Sequence, residues 1–193
     1  MKGRGLTLVE LLIALAVVAL LAALLVPAGI RAAEEANLTE CRANLRTVGQ
    51  AVLLHAKDHE GSLPVSDVLD GPHPALLAAL GLYLDDPRVY YCPSTRDPDH
   101  VFTESNLAAG RIGYFYFSCE RGTPNRLIST FLRWNVEWPR RLHHAMPGET
   151  WVASDRWLSG ESTAHAGYKK CVNYVTLAGE VRMITEGPRA AFK

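Results

Sequence analysis

The sequence predicts an α+β protein in which a long N-terminal helix precedes a head built on an antiparallel β-sheet. No charged residue interrupts the stretch from Leu11 to Ile30, and helical spacing of apolar residues continues beyond it to about residue 55. The second half of the chain instead contains short apolar and aromatic runs separated by turn residues. A helical period followed by short strand-like runs is typical of segregated α and β elements.

The first half of the predicted helix is long enough to span a membrane. At about 1.5 Å of rise per residue, Leu11 to Ile30 would extend over roughly 30 Å, which is the thickness of a hydrocarbon core. Lys2 and Arg4 precede this stretch, and basic residues in such positions stay on the cytoplasmic side. Pro27 lies inside it and predicts a weak point, because proline removes a backbone hydrogen bond and favours a kink.

Glu10 is a carboxylate at the start of this apolar stretch. Insertion scales place the cost of an acidic residue within a membrane helix at about 2.5–3.5 kcal/mol, so such a residue usually has a functional partner. The alternative is a plain signal anchor in which the Glu10 side chain reaches water at the cytoplasmic end.

The second half of the helix is predicted to be amphipathic and to pack on the sheet. Its apolar face recurs at spacings of three and four residues, and Gly61 with Pro64 supplies the stop, so the helix is expected to run from Leu6 to about Glu60. The residues of this face are Leu38, Cys41, Leu45, Val48, Val52 and His55.

The remaining elements are short. A second helix is predicted from Pro74 to Leu80, with proline in its first turn and Gly81 after its end. Ala178 and Gly179 predict a tight hairpin between the last two strands. The predicted strands are Val89–Cys92, Ile112–Cys119, Trp151–Ser154, Cys171–Leu177 and Glu180–Ile184.

The order of features at the N-terminus differs from that of an ordinary secretory signal, because the small residue Gly5 precedes the apolar core. The run Gly5-Leu6-Thr7-Leu8-Val9-Glu10-Leu11-Leu12 resembles the class III signal of type IV pilins and type II secretion pseudopilins. This resemblance implies that a prepilin peptidase cuts after Gly5 and methylates the new N-terminus at Leu6, where the family usually has phenylalanine. It also implies that Glu10 pairs with the N-terminal amine of a neighbouring subunit.

Pro27 falls where many pilins carry a proline.

The resemblance implies a pilin fold, in which the membrane-spanning and amphipathic halves of one helix lead into an antiparallel sheet. Residues 1–5 would be a cytoplasmic leader, 6–30 the membrane and assembly segment, and 31–193 a periplasmic or extracellular head. The function implied is that of a structural subunit, favoured as a minor one, of a type IV pilus or type II secretion pseudopilus. Its partners would be prepilin peptidase, other pilin or pseudopilin subunits and the bacterial inner membrane. The alternative is a membrane-anchored binding module for DNA or a secreted substrate that never polymerises.

Three further segments resemble a subgroup of pseudopilin-like proteins with GspG-type heads. The first is Cys41-Arg42-Ala43-Asn44-Leu45 followed by Gly49, Gly61 and Pro64. The second is Tyr91-Cys92-Pro93-Ser94, and the third is the closing hairpin from Asn173 to Ile184. That hairpin normally carries Asp-Gly-His, whereas this chain has Ala178, Gly179 and Glu180.

The four cysteines are expected to form disulfides, because the orientation rule places them on the oxidising side of the membrane. No Cys-x-x-Cys occurs, which argues against a zinc ribbon or a thioredoxin-like site. The preferred pairing joins Cys41 to Cys92 and Cys119 to Cys171, although four cysteines allow three pairings. The alternative is a set of small buried thiols.

Composition indicates an exported body rather than a dedicated nucleic-acid binder. Basic and acidic residues number 20 each, and removing Lys2 and Arg4 would leave 18 basic against 20 acidic. Residues 111–144 are nevertheless basic and aromatic, a combination used in single-strand binding. The preferred interpretation is that the aromatics are core and the arginines a solvated rim or subunit contact. Candidates for a nucleic-acid or subunit contact are Arg133, Trp134, Arg140 and Arg141.

No metal site, cofactor or enzymatic activity is predicted. His55 and His59 lack the intervening glutamate of a metalloprotease helix, and no set of residues converges as a catalytic group in the sequence. The alternative is a calcium site, as the resemblance to pseudopilins implies because some of their heads bind calcium, although no twelve-residue loop pattern is present. Its candidate ligands are Asp85, Asp86, Asp97 and Asp99.

Overall fold

The structure is a computed structural model that describes residues 7–68, 71–121, 145, 146, 148–158, 162, 163, 165 and 171–185. It has the predicted α+β, pilin-like architecture, with one long N-terminal helix and a four-stranded antiparallel sheet. The chain divides into two compact units, residues 1–36 and residues 37–193, which are described in turn.

The first unit contains the N-terminal part of helix α1, which extends from Leu8 to Asp58. Every residue from 7 to 33 is exposed. Within the described part of the chain, α1 is the one helix that is long and apolar enough to cross a membrane, judged by length and composition. Pro27 lies inside α1, and the helix continues on both sides of it.

In the second unit, α1 buries the apolar face that the sequence predicted. Leu38, Cys41, Leu45, Val48 and Val52 are all buried. His55 is only half-buried, and its neighbour Ala56 takes the buried position at this end. The helix ends close to the predicted stop, where Glu60 and Gly61 have positive φ and the Gly61 amide donates to the Ala56 carbonyl at 2.7 Å.

The connecting region contains one confirmed helix and one wrong prediction. Helix α2 runs from Pro74 to Leu80, as predicted. The strand predicted at 89–92 is wrong, because Pro87–Tyr90 forms a 3-10 helix. Asp86 caps that helix by accepting from the Arg88 amide at 2.9 Å, and Pro87 suits its first position. Helix α3, Glu104–Ala108, has no counterpart among the predicted elements.

The described residues also contain eight short strands. The predicted strands at 151–154, 171–177 and 180–184 are confirmed with small shifts, and the predicted strand at 112–119 is replaced by two shorter ones. In chain order they are β1 (Ser66–Val68), β2 (Tyr114–Tyr116), β3 (Cys119–Arg121), β4 (Trp151–Asp155), β5 (Trp157–Leu158), β6 (Ser162–Thr163), β7 (Val172–Thr176) and β8 (Val181–Ile184).

The main sheet has the strand order β2-β4-β7-β8, with every neighbouring pair antiparallel. Tyr114 of β2 faces Asp155 of β4 in the register of the sheet. The predicted turn between β7 and β8 is confirmed: Gly179 has a φ of 77°, and the Thr176 amide donates to the Glu180 carbonyl at 3.0 Å. Strands β1 and β3 form a separate parallel pair, and β5 and β6 a separate antiparallel pair.

A close approach between α1 and β7 fixes how the helix packs on the sheet. At Gly49 an added Cβ would lie 2.6 Å from Cγ2 of Val175, well inside van der Waals contact. Glycine at this position therefore lets the helix backbone come nearer to the sheet than any other residue would allow.

Candidate functional site

The N-terminus of α1 is capped by Thr7 and Glu10. The backbone amide and the hydroxyl of Thr7 both donate to Oε2 of Glu10 at 2.8 Å, and the Glu10 amide donates back to Thr7 Oγ1 at 3.3 Å. This reciprocal arrangement is a capping box, which satisfies backbone donors that the first helical turn leaves unpaired. Glu10 is thus held by local donors on an exposed helix end.

The head contains a second arrangement of polar groups, and this one is buried. It consists of four residues, each with one side-chain atom that could bind a metal ion. They are Cys41 of α1, Cys92 after the 3-10 helix, Asp155 at the end of β4, and His165. These four atoms all lie within 4.8 Å of one another, and all four residues are buried. Together they are called the Cys2AspHis cluster below.

The contacts within the Cys2AspHis cluster are short. Cys41 Sγ donates to Asp155 Oδ1 at 2.8 Å, and Cys92 Sγ lies 3.5 Å from His165 Nε2. The same His165 nitrogen lies 3.7 Å from Asp155 Oδ2. Each member therefore faces at least one other member through the atom that could bind a metal ion.

Asn173 of β7 positions the carboxylate of the cluster. Its backbone amide and its side-chain amide both donate to Asp155 Oδ2, at 2.9 and 2.8 Å. Arg42 Nε in turn donates to Asn173 Oδ1 at 3.2 Å, which fixes the amide orientation. Tyr114 adds a hydroxyl that points at Cys41 Sγ from 3.6 Å.

The electrostatics of the two thiols differ. Burial, reinforced by the interaction with Cys92, raises the pKa of Cys41 well above its ordinary value. The interactions with Cys41 and then with His165 lower the pKa of Cys92 to about 7, against the opposing effect of burial. Burial raises the pKa of Asp155, although its hydrogen bonds oppose that shift. Of these two thiols, Cys92 is the one whose surroundings favour the thiolate form.

The structure brings together one of the predicted cysteine pairs, but not as a disulfide. Cys41 and Cys92 are free thiols, so the predicted bond between them is not formed and their alternative use as buried thiols is seen. Cys171 is also buried and lies outside the Cys2AspHis cluster. The side chain of Cys119 lies outside the described residues, so its predicted pairing with Cys171 stays a prediction.

Several predicted site residues are not described. Gly5 and Leu6 of the processing site lie outside the described residues, as do Arg133, Trp134, Arg140 and Arg141. Elsewhere in the basic and aromatic segment, the structure supports the core interpretation for two residues, because Tyr114 and Tyr116 are buried strand residues.

Three of the candidate calcium ligands form hydrogen bonds or ion pairs with other residues of the chain. Asp86 caps the 3-10 helix, Asp97 accepts from His100 Nδ1 at 2.8 Å, and Asp99 pairs with Arg111. Among the described residues, the Cys2AspHis cluster is the one group of three or more such side chains with converging ligand atoms.

Sequence reasoning missed this cluster, although it had singled out parts of it. The Cys41 segment, the Cys92 segment and the hairpin beginning at Asn173 were the three motifs behind the subgroup resemblance, and all three meet here. Asn44 of the first motif also donates to the Tyr91 carbonyl of the second at 3.2 Å. The sequence signal that could have indicated the cluster was the presence of a cysteine in each of two such motifs. Asp155 and His165 belong to no motif, so the sequence offered no signal for them.

Comparison with known proteins identifies the N-terminal segment. Residues 1–26 match the family model of the prokaryotic N-terminal methylation motif. No curated protein and no solved structure matches the chain. The motif supports a type IV pilin-like chain and implies processing by prepilin peptidase, and together with the apolar helix it fits anchoring in a membrane.

Proposed function

We propose that this chain is a structural subunit, favoured as a minor one, of a type IV pilus or a type II secretion pseudopilus. The observation that carries the proposal is the match of residues 1–26 to the methylation motif, at the start of a helix with a membrane-length apolar surface. Processing would occur after Gly5, with methylation of Leu6. The chain would then assemble through lateral burial of its N-terminal helix among those of neighbouring subunits.

The exposed apolar side chains of α1 support assembly through this helix. Large apolar residues from Leu8 to Ile30 are at least half exposed, so the described chain covers none of them. A surface of this kind requires an apolar environment, first the bilayer and then neighbouring helices. The hydrophobic core of the second unit contains none of these side chains.

The capping box gives Glu10 a defined role before assembly. While the subunit is alone, the Thr7 donors satisfy the Glu10 carboxylate. In the filament, the positively charged amine of a neighbouring Leu6 would compete for the same oxygens and set the axial register. The exchange would replace neutral donors by an ammonium group, which adds the attraction between two full charges to the hydrogen bonds, and this attraction is strong where water is excluded.

The proposal makes the chain a structural subunit and not an enzyme. Cys92, His165 and Asp155 are residue types that could act as nucleophile, base and orienting group. They are at most 3% exposed, so a substrate has no access to them in this conformation. Their burial supports a structural use instead.

Processing is tested by mass spectrometry of the chain isolated from membranes of cells that contain the prepilin peptidase. The expected N-terminus is N-methylated Leu6. In cells that lack the peptidase, the chain should retain its uncut leader. An intact leader in the presence of the peptidase would overturn the assignment.

Assembly is tested separately with Glu10→Gln. We expect normal membrane insertion and Leu6 processing, but at least a tenfold loss of the subunit from sheared filaments detected by antibody-labelled electron microscopy. Glu40→Gln is the matched control, because Glu40 is an exposed carboxylate on the same helix and lies in the second unit. Equal filament incorporation of the Glu10 variant and wild type would rule out the register role.

A further inference from the structure

We propose that the Cys2AspHis cluster binds a single thiolate-preferring divalent metal ion, of the zinc class, in a closed tetrahedral site. Neither the methylation motif nor the proposed filament role assigns such a site. It also departs from the sequence-based expectation that the chain has no metal. The inference is independent of assembly, since all four residues belong to the second unit.

The donor types are those of a structural zinc site. Zinc binds thiolate sulfur, imidazole nitrogen and carboxylate oxygen, usually as four ligands in a tetrahedron. Cys41 and Cys92 supply two sulfurs, His165 supplies Nε2 and Asp155 supplies a carboxylate oxygen. Thiolate ligands select zinc and other soft ions against magnesium and calcium, which prefer oxygen alone.

The separations also fit a tetrahedral site after small shifts of the ligand atoms. With metal–ligand bonds of about 2.0–2.3 Å, ligand atoms in a tetrahedron lie about 3.3–3.8 Å apart. The Cys92 Sγ to His165 Nε2 distance of 3.5 Å and the His165 Nε2 to Asp155 Oδ2 distance of 3.7 Å are already in this range. The Cys41 Sγ to Asp155 Oδ1 distance of 2.8 Å would have to widen, and the widest separation, which is within 4.8 Å, would have to narrow.

Burial makes the site closed. Its four ligand positions are all provided by protein side chains, with no position open to a water or substrate, which distinguishes structural from catalytic zinc sites. A divalent cation would also compensate two thiolates and a carboxylate that are otherwise costly to keep ionised away from water. A metal-free cluster must instead keep protons on some of these groups.

The surrounding residues supply the outer shell that metal ligands normally have. Asn173 holds Asp155 Oδ2 with two hydrogen bonds and is itself oriented by Arg42. Such contacts fix ligand orientation, and their loss typically weakens metal binding about 10–100-fold. Asn173 is therefore a positioning residue for the proposed site.

The ion would join four separate segments of the head. Cys41 lies on α1, Asp155 ends the central strand β4, and Cys92 and His165 lie on connecting segments. One metal ion would thereby tie the amphipathic half of the helix to the sheet and to two loops. This is the task that a disulfide between Cys41 and Cys92 would perform for two of these segments alone.

The experiment uses the full chain, purified from membranes in detergent without reducing agent or chelator. Metal content is measured by inductively coupled plasma mass spectrometry, and thiols are counted by alkylation with mass mapping. The chelated chain is then titrated with Zn²⁺, and separately with Co²⁺, whose absorption reports tetrahedral geometry and sulfur ligation. We expect one zinc ion per chain, unmodified Cys41 and Cys92 thiols after zinc removal, and a sulfur-to-cobalt charge-transfer band.

Variants identify the ligands. Cys41→Ser and Cys92→Ser should each roughly halve the charge-transfer band and weaken zinc binding at least a hundredfold. Cys171→Ser is the matched control, because Cys171 is equally buried but outside the cluster, and it should bind zinc as wild type does. Asn173→Ala should weaken zinc about tenfold while the charge-transfer intensity stays the same.

Three results would overturn the proposal. One is a chain that neither carries zinc nor takes up Zn²⁺ or Co²⁺ after isolation with its head folded, as judged by circular dichroism. Another is a Cys41–Cys92 disulfide in the chain alkylated directly in membranes, which would assign the pair to a covalent link. The third is equal loss of zinc from Cys171→Ser and Cys92→Ser, which would indicate a general effect on folding.

Discussion

Both halves of α1 carry large apolar side chains, but only the second half buries them within the chain. Leu20 in the first half is 64% exposed, whereas Leu45 in the second half is completely buried. The helix backbone is the same in both places, so its formation does not decide where the apolar surface goes. The second half has a sheet to pack on, and the first half requires apolar material from outside the chain.

Acidic groups in the two units show the same contrast. Glu10 accepts hydrogen bonds from Thr7, three residues away, and stays exposed. Asp155 is buried and depends on groups far apart in sequence, among them Cys41 and Asn173. A carboxylate that relies on local donors can exchange them for a new partner without disturbing a core, whereas a buried one is part of the core itself.

The largest expected effect comes from the same substitution made in each half of the helix. Leu45→Ala should lower the free energy of unfolding of the head by about 2–5 kcal/mol, because it leaves a cavity in the core. Leu20→Ala should leave head unfolding unchanged, since its side chain contributes nothing to that core. Chemical denaturation of the full chain in detergent, followed by near-ultraviolet circular dichroism, measures both. Similar losses in the two variants would contradict the division between the units.

A smaller effect is expected at the contact between α1 and β7. Gly49→Ala places a methyl group against Val175, and overpacking of this kind costs about 1–3 kcal/mol, partly offset by the roughly 1 kcal/mol advantage of alanine within a helix. We expect a net destabilisation of about 1 kcal/mol. In a Val175→Ala background, where the obstructing methyl groups are absent, the same change should become stabilising. An identical loss in both backgrounds would show that the close contact is not the cause.

The weakest effect is expected when the hydroxyl group is removed from either of two buried tyrosines, which differ in their hydrogen bonding. Tyr116 donates to the Pro64 carbonyl at 2.7 Å, so Tyr116→Phe should cost about 1–2 kcal/mol of unfolding free energy. The hydroxyl of Tyr90 has no hydrogen-bond partner among the described residues, and Tyr90→Phe should change stability by less than about 0.5 kcal/mol or increase it slightly. The same denaturation measurement compares the free energies of unfolding of the two variants. A larger loss for Tyr90→Phe than for Tyr116→Phe would contradict the hydrogen-bond assignment.

Sequence reasoning succeeded where a pattern has a local physical cause. The face of α1 follows from helical spacing, helix α2 from Pro74 and Gly81, and the final hairpin from the glycine at position 179. It failed at residues 89–92, because apolar residue types favoured a strand while the Asp86 cap and Pro87 stabilised a 3-10 helix. It also overlooked the capping box of Thr7 and Glu10, although their spacing of three residues was visible.

Sequence alone was enough to predict the membrane-length apolar helix, the methylation motif and the amphipathic face, because each depends on neighbouring residues and a fixed helical period. It takes the folded head to show that Cys41, Cys92, Asp155 and His165 meet, and that Gly49 lies against Val175. These contacts join residues separated by tens of positions, and their geometry depends on how α1 packs against β4 and β7. No local period encodes that packing, so the buried cluster became visible only in the folded head.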